Sequence, residues 1–279
     1  MGLCTVYYIP EHLAFILACY KMKIPSADIQ HGLQGDQHIA YSGWKHIYHQ
    51  LLPTGFWVWS AFEKSNIEKW SRDNGPVVFV GGNLWMDFCL TTDDPEIKII
   101  NDEIQEIKNE GKNHILLSLQ PNNYLDYFIP ILKESPDSWF WWIRLHPRML
   151  EREAELVQLL TKHNIHNYCI KEASYFPLPF ILKNIDVHVT FNSTVVLDAE
   201  LFNIKSLVLD ENGIKYFPEQ FQRKMAFHEK NLQDSVEKIQ FLVEKSKSKE
   251  IHEKEDVPKP TERIQTFLAL LTSKNVHSK

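Results

Sequence analysis

Polar residues that can bind or activate a substrate gather where short apolar strands end. In the stretch IPSADIQHGLQGDQHIAY, residues 24–41, a strand predicted over 27–30 runs into Gln30, His31 and Gly32. Loops that follow the strands of a parallel sheet are where α/β proteins place their functional side chains. The imidazole of a histidine there can exchange protons near neutral pH. This loop is therefore a candidate site, with an ordinary polar turn as the alternative.

Three further predicted strands, 114–120, 139–145 and 186–191, also end in polar side chains. The carboxyl ends of parallel strands share one edge of the sheet, so we expect these groups to face one crevice. They are Ser118, Gln120, Asn122 and Asn123 in and after the first strand, His146 and Arg148 after the second, and Asn192, Ser193 and Thr194 after the third.

Residues 192–194 lead directly into a predicted helix. The first N–H groups and the positive dipole end of a helix attract phosphate, and the hydroxyls of Ser193 and Thr194 can add donors. The alternative is a plain helix cap, because Ser, Thr and Asn are favoured there. Glu200 lies on about the same helix face, where it can bind the hydroxyl pair of a sugar or remain a solvated carboxylate.

The His146-Pro147-Arg148 turn has a more specific character. Proline restricts the backbone and fixes where the imidazole of His146 lies after its strand. This imidazole can donate to a phosphate or to a pyrimidine edge, and Arg148 can pair with the same phosphate. A histidine that satisfies buried carbonyl groups is the alternative.

Composition limits the class of protein. The chain has 279 residues, 44% of them hydrophobic, and a net charge of −6, which suits one large or two medium domains and argues against a nucleic-acid surface. It lacks both an apolar run of membrane-spanning length and a signal-peptide pattern. Four scattered cysteines without a CxxC pair indicate neither a zinc site nor a disulfide framework. We expect a cytoplasmic protein that needs no metal or cofactor.

Several common motifs are absent. The sequence contains no GxGxxG, no GxxxxGK[ST] and no GxSxG, which leaves a dinucleotide fold, a P-loop and a nucleophile elbow without support. His46 and His49 are three residues apart without an obvious third metal ligand.

Alternating short strands and helices predict an α/β fold with parallel sheets. We expect a partial N-terminal lobe over 1–84, a Rossmann-like domain over 85–225, and C-terminal helices with a charged linker over 226–279, with the boundary placed by a shift in composition. The first lobe has only three or four predicted strands, counting TVYYI at 5–9. It is therefore either incomplete or completed by a partner or an oligomer.

The order of these motifs resembles that of bacterial GT-B glycosyltransferases of capsule and lipopolysaccharide assembly. The likeness is nearest to the group that includes retaining Kdo transferases, and looser to sialyltransferases and CDP-glycerol glycerophosphotransferases. It spans about residues 10–210 and rests on DIQHG, VGGN, ILLSLQ, WIRLHPR and DVHVTFNSTVVLDAELFNIKSLVL. The resemblance implies a GT-B-like fold, with a complete Rossmann-like donor domain and a partial N-terminal lobe.

The resemblance also implies roles for the donor side. His146 and Pro147 match the motif that holds the nucleotide of a CMP-sugar, Ser193 and Thr194 match a phosphate-binding motif, and Glu200 matches an acidic position used for the ribose. Together with the strand ends, the expected donor-binding residues are Ser118, Gln120, His146, Arg148, Asn192, Ser193, Thr194 and Glu200.

On the acceptor side, Gln30, His31 and Gly32 match a Gln-His-Gly loop that faces the cleft, which implies a catalytic His31 in contact with the reacting sugar or the donor phosphate. Gly82-Asn83 matches a Gly-Asn-Pro hinge, except that Leu84 replaces the proline. In the family the acceptor lobe begins well upstream of this loop, so its upstream strands, with any carboxylate they carry, are not in this chain.

The function implied is metal-independent transfer of a sugar from a nucleotide-activated, CMP-linked donor to a surface-polysaccharide acceptor. Two alternatives stay open: a nucleotide-sugar epimerase of GT-B shape, and a non-catalytic module that binds a sugar nucleotide or only a partner.

The final predicted helix, 261–273, either packs on the first lobe or lies at the inner membrane. Peripheral membrane contact would use Lys245, Lys247 and Lys249, although the adjacent Glu244 and Glu250 favour a solvated segment.

Overall fold

The computed structural model describes residues 1–42, 48–71, 75–92, 94–108, 111–121, 125–246 and 258–277. The chain divides into two compact units, of which the first comprises Met1–Phe88 with Glu253–Lys279 and the second comprises Cys89–His252. The C-terminal segment that we predicted over 226–279 is thus shared between the two units.

The first unit contains a four-stranded parallel sheet in the order β1-β2-β3-β4. Its elements are β1 (Gly2–Cys4), α1 (Pro10–Lys21), β2 (Ser26–Ile29), β3 (Gly55–Val58), α2 (Ala61–Ser71), β4 (Val77–Val80) and the first part of α3 (Leu84–Thr91), a helix that contains the boundary between the units. The expectation of a strand over TVYYI, residues 5–9, was wrong. The first strand ends at Cys4, and Val6 adopts a left-handed backbone with φ of 58°, which turns the chain out of the sheet.

The second unit contains a six-stranded parallel sheet in the order β10-β9-β8-β5-β6-β7. Counted within the unit, this is the order 3-2-1-4-5-6 of doubly wound nucleotide-binding folds. The strands are β5 (Asn113–Ser118), β6 (Trp139–Arg144), β7 (Tyr168–Cys169), β8 (Val187–Thr190), β9 (Lys205–Val208) and β10 (Ala226–His228). The last of these was not predicted, because three residues carry too short a pattern to read as a strand.

Helices cover this second sheet. They are α4 (Pro95–Ile107), α5 (Ile129–Glu134), α6 (Glu153–Lys162), α7 (Lys171–Tyr175), α8 (Leu178–Leu182), α9 (Val195–Leu201), α10 (Glu211–Tyr216), α11 (Pro218–Gln222) and α12 (Leu232–Ser246). The central strands β5, β6 and β8 are almost continuously buried, as expected of strands covered on both faces. Trp139, Trp141 and Trp142 of β6 are all at most 2% exposed and belong to the core.

The last helix, α13 (Pro260–His277), belongs to the first unit. Phe267 and Leu271 pack in one buried cluster with Ala27 of β2 and Trp57 of β3. Near the start of the helix, the Arg263 guanidinium donates to the Gly81 carbonyl oxygen and to the Asp87 carboxylate. Of the two alternatives for the final helix, the structure shows packing on the first lobe. Within the described residues, no helix is both long and apolar enough to cross a membrane.

We predict that the first unit depends on this helix. Phe267→Ala should lower the free energy of unfolding by about 3 kcal/mol, because it removes a buried aromatic ring that packs on Trp57. Leu268→Ala, one residue along the same helix at a position that is 36% exposed, is the matched control. Urea unfolding measures both, and equal losses of stability in the two variants would contradict the buried role of Phe267.

Candidate functional site

The carboxyl edge of the second sheet brings together chain segments that are far apart in sequence. Strands β8, β5 and β6 are adjacent and parallel, with Ser118 of β5 level with both Thr190 of β8 and Arg144 of β6. Gln120, His146 and Ser193 each follow within three residues of these strand ends. The structure thus places the three predicted polar segments at one edge of one sheet.

A buried polar chain ties these strands together beneath that edge. The imidazole of His188 contacts the Ser206 hydroxyl through Nδ1 at 2.9 Å and the Ser118 hydroxyl through Nε2 at 3.1 Å. Burial lowers the pKa of His188 to about 3, so the ring stays neutral. The expectation that Ser118 faces a ligand is corrected here, because its side chain is only 2% exposed and its hydroxyl is already bonded to His188.

The imidazole ring of His146 is held in a single tautomer. It caps the short 3-10 helix over 147–152, where its Nδ1 accepts a hydrogen bond of 3.1 Å from the Arg148 backbone N–H. A neutral ring with Nδ1 as acceptor carries its proton on Nε2. Partial burial and then the nearby Arg148 lower the pKa of His146. At neutral pH the ring therefore presents an Nε2–H donor at the end of β6.

The three residues after β8 have three different roles. Asn192 donates from its side-chain amide to the Asp210 carboxylate at 2.8 Å, which joins the ends of β8 and β9. Ser193 is 4% exposed, and its hydroxyl accepts from the Val195 backbone N–H, as a plain cap does. Thr194 is half-buried, and among the described residues its hydroxyl has no hydrogen-bond partner. Thr194 is thus the member of this group with a hydroxyl left for a ligand.

Glu200 is committed to protein contacts. Its two carboxylate oxygens accept from Arg223 Nε at 2.6 Å, from Arg223 Nη2 at 2.9 Å and from Gln220 Nε2 at 2.7 Å. The hydrogen bond that Arg223 donates to Glu200 is the largest cause of the raised pKa of Arg223. A ribose could bind this carboxylate only by sharing or replacing those donors, so its predicted role has no support from the geometry.

Two predicted donor-binding side chains remain accessible at this edge. Gln120 is half-buried and Arg148 is exposed. Asn122 and Asn123 lie outside the described residues. Four of the predicted donor-binding residues therefore keep a polar side-chain group that makes no hydrogen bond with the described residues: Gln120, His146, Arg148 and Thr194.

Two features of the same edge were not predicted from the sequence. Arg144 ends β6, and its guanidinium donates to the carbonyl oxygens of Ala173 and Phe176 at 2.6 and 2.9 Å, while burial lowers its pKa to about 10. Phe191, directly after β8, packs against Tyr127 with ring centroids 4.7 Å apart. A search for polar residues at strand ends does not find an apolar wall. An aromatic residue directly after a buried strand can indicate one.

In the first unit, the Gln-His-Gly loop follows β2. The Gln30 side chain is 3% exposed, accepts from the Trp59 backbone N–H at 2.6 Å and donates to the Gly32 carbonyl oxygen at 2.9 Å. It therefore fastens the loop and does not face an acceptor. Gly32 does not have the left-handed backbone that would require glycine at this position.

His31 remains accessible to solvent at the same loop. The partial burial of its ring, followed by the nearby His38, lowers its pKa, so a neutral imidazole is favoured at pH 7. The catalytic role of His31 stays a prediction.

A carboxylic acid is buried at the end of β2. Asp28 is fully buried, and its Oδ2 accepts from the Tyr41 hydroxyl at 2.8 Å. Desolvation raises the pKa of Asp28 to about 7, against the opposing effects of Tyr41, the Tyr7 backbone N–H and His12. Asp28 thus anchors the loop that contains Tyr41 and changes charge near neutral pH.

Comparison with solved structures identifies the fold. The chain is similar to the UDP-GlcNAc 2-epimerase of Neisseria meningitidis bound to UDP-GlcNAc, with 17% identity and a TM-score of 0.66 over 97% of this chain and 76% of that one. A candidate UDP-N-acetylglucosamine 2-epimerase from Listeria monocytogenes matches at 13% identity and a TM-score of 0.59, over 87% of this chain. Anabaena HepE in complex with UDP and glucose matches at 12% identity and a TM-score of 0.54, over 99% of this chain and 76% of that one.

These similarities confirm the predicted α/β, GT-B-like fold, with a complete Rossmann-like unit and a partial N-terminal one. The chain spans 65% of the length of the Listeria protein. No protein-family model matches the sequence, and no curated protein matches it.

We predict that the titration of Asp28 makes the stability of the first unit depend on pH. Because its pKa is raised from an ordinary value of 3.8 to about 7, the folded state holds a proton that the unfolded chain loses between these values. The contribution of Asp28 to stability is therefore present at low pH and is lost as the pH rises towards 7. Asp28→Asn should flatten this part of the dependence.

Urea unfolding at pH 5 and pH 8 tests this prediction, with Asp36→Asn, an exposed acid, as the control. The change in midpoint between the two pH values should be smaller in Asp28→Asn than in the wild type and the control. Identical changes in all three proteins would show that Asp28 does not titrate in this range.

Proposed function

We propose that this chain binds a nucleotide-activated sugar, with the phosphates of the nucleotide at the carboxyl edge of the second sheet. The observation that carries the proposal is the Nε2–H donor of His146, fixed in direction by the Arg148 backbone and set at the end of a central parallel strand. Ligands of doubly wound folds bind at this edge, next to the point where the strand order reverses. In this sheet that point lies between β5 and β8.

The remaining groups suit an anionic ligand. Arg148 adds a permanent positive charge, and Thr194 and Gln120 add neutral donors on the neighbouring strand ends. A neutral His146 donates a hydrogen bond to a phosphate oxygen, which stabilises a departing nucleotide without moving a proton first. The Tyr127–Phe191 pair offers an apolar wall beside these groups.

For the reaction, we propose glycosyl transfer from the nucleotide sugar to a surface-polysaccharide acceptor, as the sequence resemblance to capsule and lipopolysaccharide enzymes implies. That resemblance suggests a CMP-linked donor. Solved structures similar to this chain include complexes with UDP-GlcNAc, with UDP and glucose, and with UDP-glucose. The identity of the nucleotide therefore decides between two concrete hypotheses, and a thermal-shift series with CMP, CDP, UDP and GDP tests it, because a specific ligand raises the unfolding temperature.

A second candidate function is epimerisation of a UDP-sugar. Its support is the structural match to a UDP-GlcNAc 2-epimerase, which covers 97% of this chain. Incubation with UDP-GlcNAc, followed by proton NMR, distinguishes the candidates: an epimerase produces the C2 epimer of the sugar without any acceptor, and a transferase requires an acceptor. A chain that binds the nucleotide but turns over no sugar would be the non-catalytic module.

We predict that His146→Asn weakens binding of the preferred nucleotide about ten- to a hundredfold, the effect of losing a hydrogen bond to a charged group. Asparagine is a good helix cap and keeps the contact with the Arg148 backbone N–H, so the turn should stay folded. His146→Ala removes both the cap and the donor. Titration calorimetry measures the affinities.

The control is His166→Ala, an exposed histidine before β7, at the opposite edge of the same sheet. It should bind the nucleotide like the wild type. Unchanged affinity in both His146 variants would reject a role for His146 in the site.

A further inference from the structure

A second polar group, separate from the residues of the proposed nucleotide site, lies at the carboxyl edge of the first sheet. Tyr8 is in the loop that follows β1, and His38 is in the loop that follows β2. Strands β1 and β2 are adjacent and parallel, so both loops leave the sheet at the same edge. The Tyr8 hydroxyl lies 3.2 Å from His38 Nε2.

The direction of this hydrogen bond follows from the other ring nitrogen. The Ala40 backbone N–H donates to His38 Nδ1 at 3.3 Å, so Nδ1 is an acceptor. Partial burial lowers the pKa of His38, so the ring is neutral at pH 7 and carries its proton on Nε2. Nε2–H therefore donates to the Tyr8 oxygen. The hydroxyl proton of Tyr8 is left to point away from His38, towards another acceptor.

Buried aromatic residues hold the two side chains in place. The Tyr8 ring packs edge-on against Tyr7 and Tyr41, with centroids 5.8 and 5.9 Å away. The His38 ring lies 4.9 Å from that of Tyr41. Tyr41 is fixed by its bond to Asp28, and Tyr7 donates to the Ala40 carbonyl oxygen at 2.5 Å. Tyr8 and His38 are half-buried, whereas Tyr7 and Tyr41 are fully buried.

The chemistry of this group suits a neutral hydroxylated ligand. Burial and the neighbouring Asp28 raise the pKa of Tyr8, so its hydroxyl stays protonated and acts as a donor. A half-buried aromatic ring with an oriented hydroxyl offers both an apolar face and a hydrogen bond. The same loop holds Gln34, which is 1% exposed and lies beside Tyr41.

We propose that Tyr8, oriented by His38, donates a hydrogen bond to a sugar oxygen of a glycan that docks on the loop over 30–42. Tyr8 is the binding residue and His38 is a positioning residue. The choice of a glycan as the ligand class rests on the proposed function, since a nucleotide-sugar enzyme that transfers its sugar to a polysaccharide must hold that polysaccharide. The site itself uses residues of the first unit alone.

The binding test uses the full chain and Tyr8→Phe, which keeps the ring and removes only the hydroxyl. The methyl glycosides of glucose, galactose and N-acetylglucosamine are titrated by NMR. At least one should bind to the wild type, and Tyr8→Phe should bind it about three- to tenfold more weakly, the effect of one neutral hydrogen bond. Tyr20→Phe, at an exposed tyrosine of α1, is the matched control and should bind like the wild type.

The positioning role of His38 has a spectroscopic readout. Nitrogen-15 spectra of the imidazole should show the proton on Nε2 at pH 7.5, in the wild type and in Tyr8→Phe alike. His38→Ala should weaken glycoside binding as much as Tyr8→Phe does, and His38→Gln, which can still donate to Tyr8, should recover part of the loss.

Three results would overturn the proposal: no binding by any of the glycosides, equal binding by the wild type and Tyr8→Phe, or a proton on Nδ1 of His38. Titration of the wild type with UDP and CMP measures the nucleotide proposal separately. If neither nucleotide binds while the Tyr8 effect is present, only the proposed function fails. If a nucleotide binds while Tyr8→Phe has no effect, only this inference fails.

Discussion

The parallel adjacency of β8, β5 and β6 is the constraint on which the candidate nucleotide site depends. Because these strands run in one direction and lie side by side, segments that are 26 and more residues apart in the chain emerge at a single edge. The His188 chain strengthens this arrangement from below, since one buried neutral imidazole joins hydroxyls on β5 and β9 across β8. A charged ring at that position would be strongly disfavoured by desolvation. The polar residues above it therefore rest on a sheet whose register is fixed by both packing and hydrogen bonds.

The two units use the same local device to orient a histidine. In each, Nδ1 of the ring accepts from the backbone N–H two residues later, from Arg148 to His146 and from Ala40 to His38. In each, partial burial lowers the imidazole pKa and keeps the ring neutral. A neutral ring with a fixed acceptor nitrogen presents its other nitrogen as a donor, at no further cost in side-chain freedom. The proposed nucleotide contact and the proposed glycan contact both follow from this geometry.

Side chains that look functional in sequence often serve the fold, and the structure separates the two roles by their partners. Gln30 fastens its own loop, Ser193 caps a short helix, and Glu200 is neutralised by Arg223. Each of these residues follows a strand or lies on a helix beside the candidate site, so position alone does not distinguish them from ligand-binding groups. What distinguishes Thr194 is that its hydroxyl has no hydrogen-bond partner among the described residues. Accessibility and an unused donor are therefore better criteria than proximity to a strand end.

The sequence by itself determined the alternation of strands and helices, the strands of the second sheet apart from the short last one, and the polar character of the strand ends. These features are local, because apolar runs and helix-capping residues in the sequence indicate them directly. Only the tertiary structure decided how each polar group is used, because hydrogen-bond partners such as Arg223 for Glu200 or His188 for Ser118 are brought together by folding across 23 and 70 residues. The raised pKa of Asp28 is a tertiary property for the same reason, since it arises from burial that no single segment specifies.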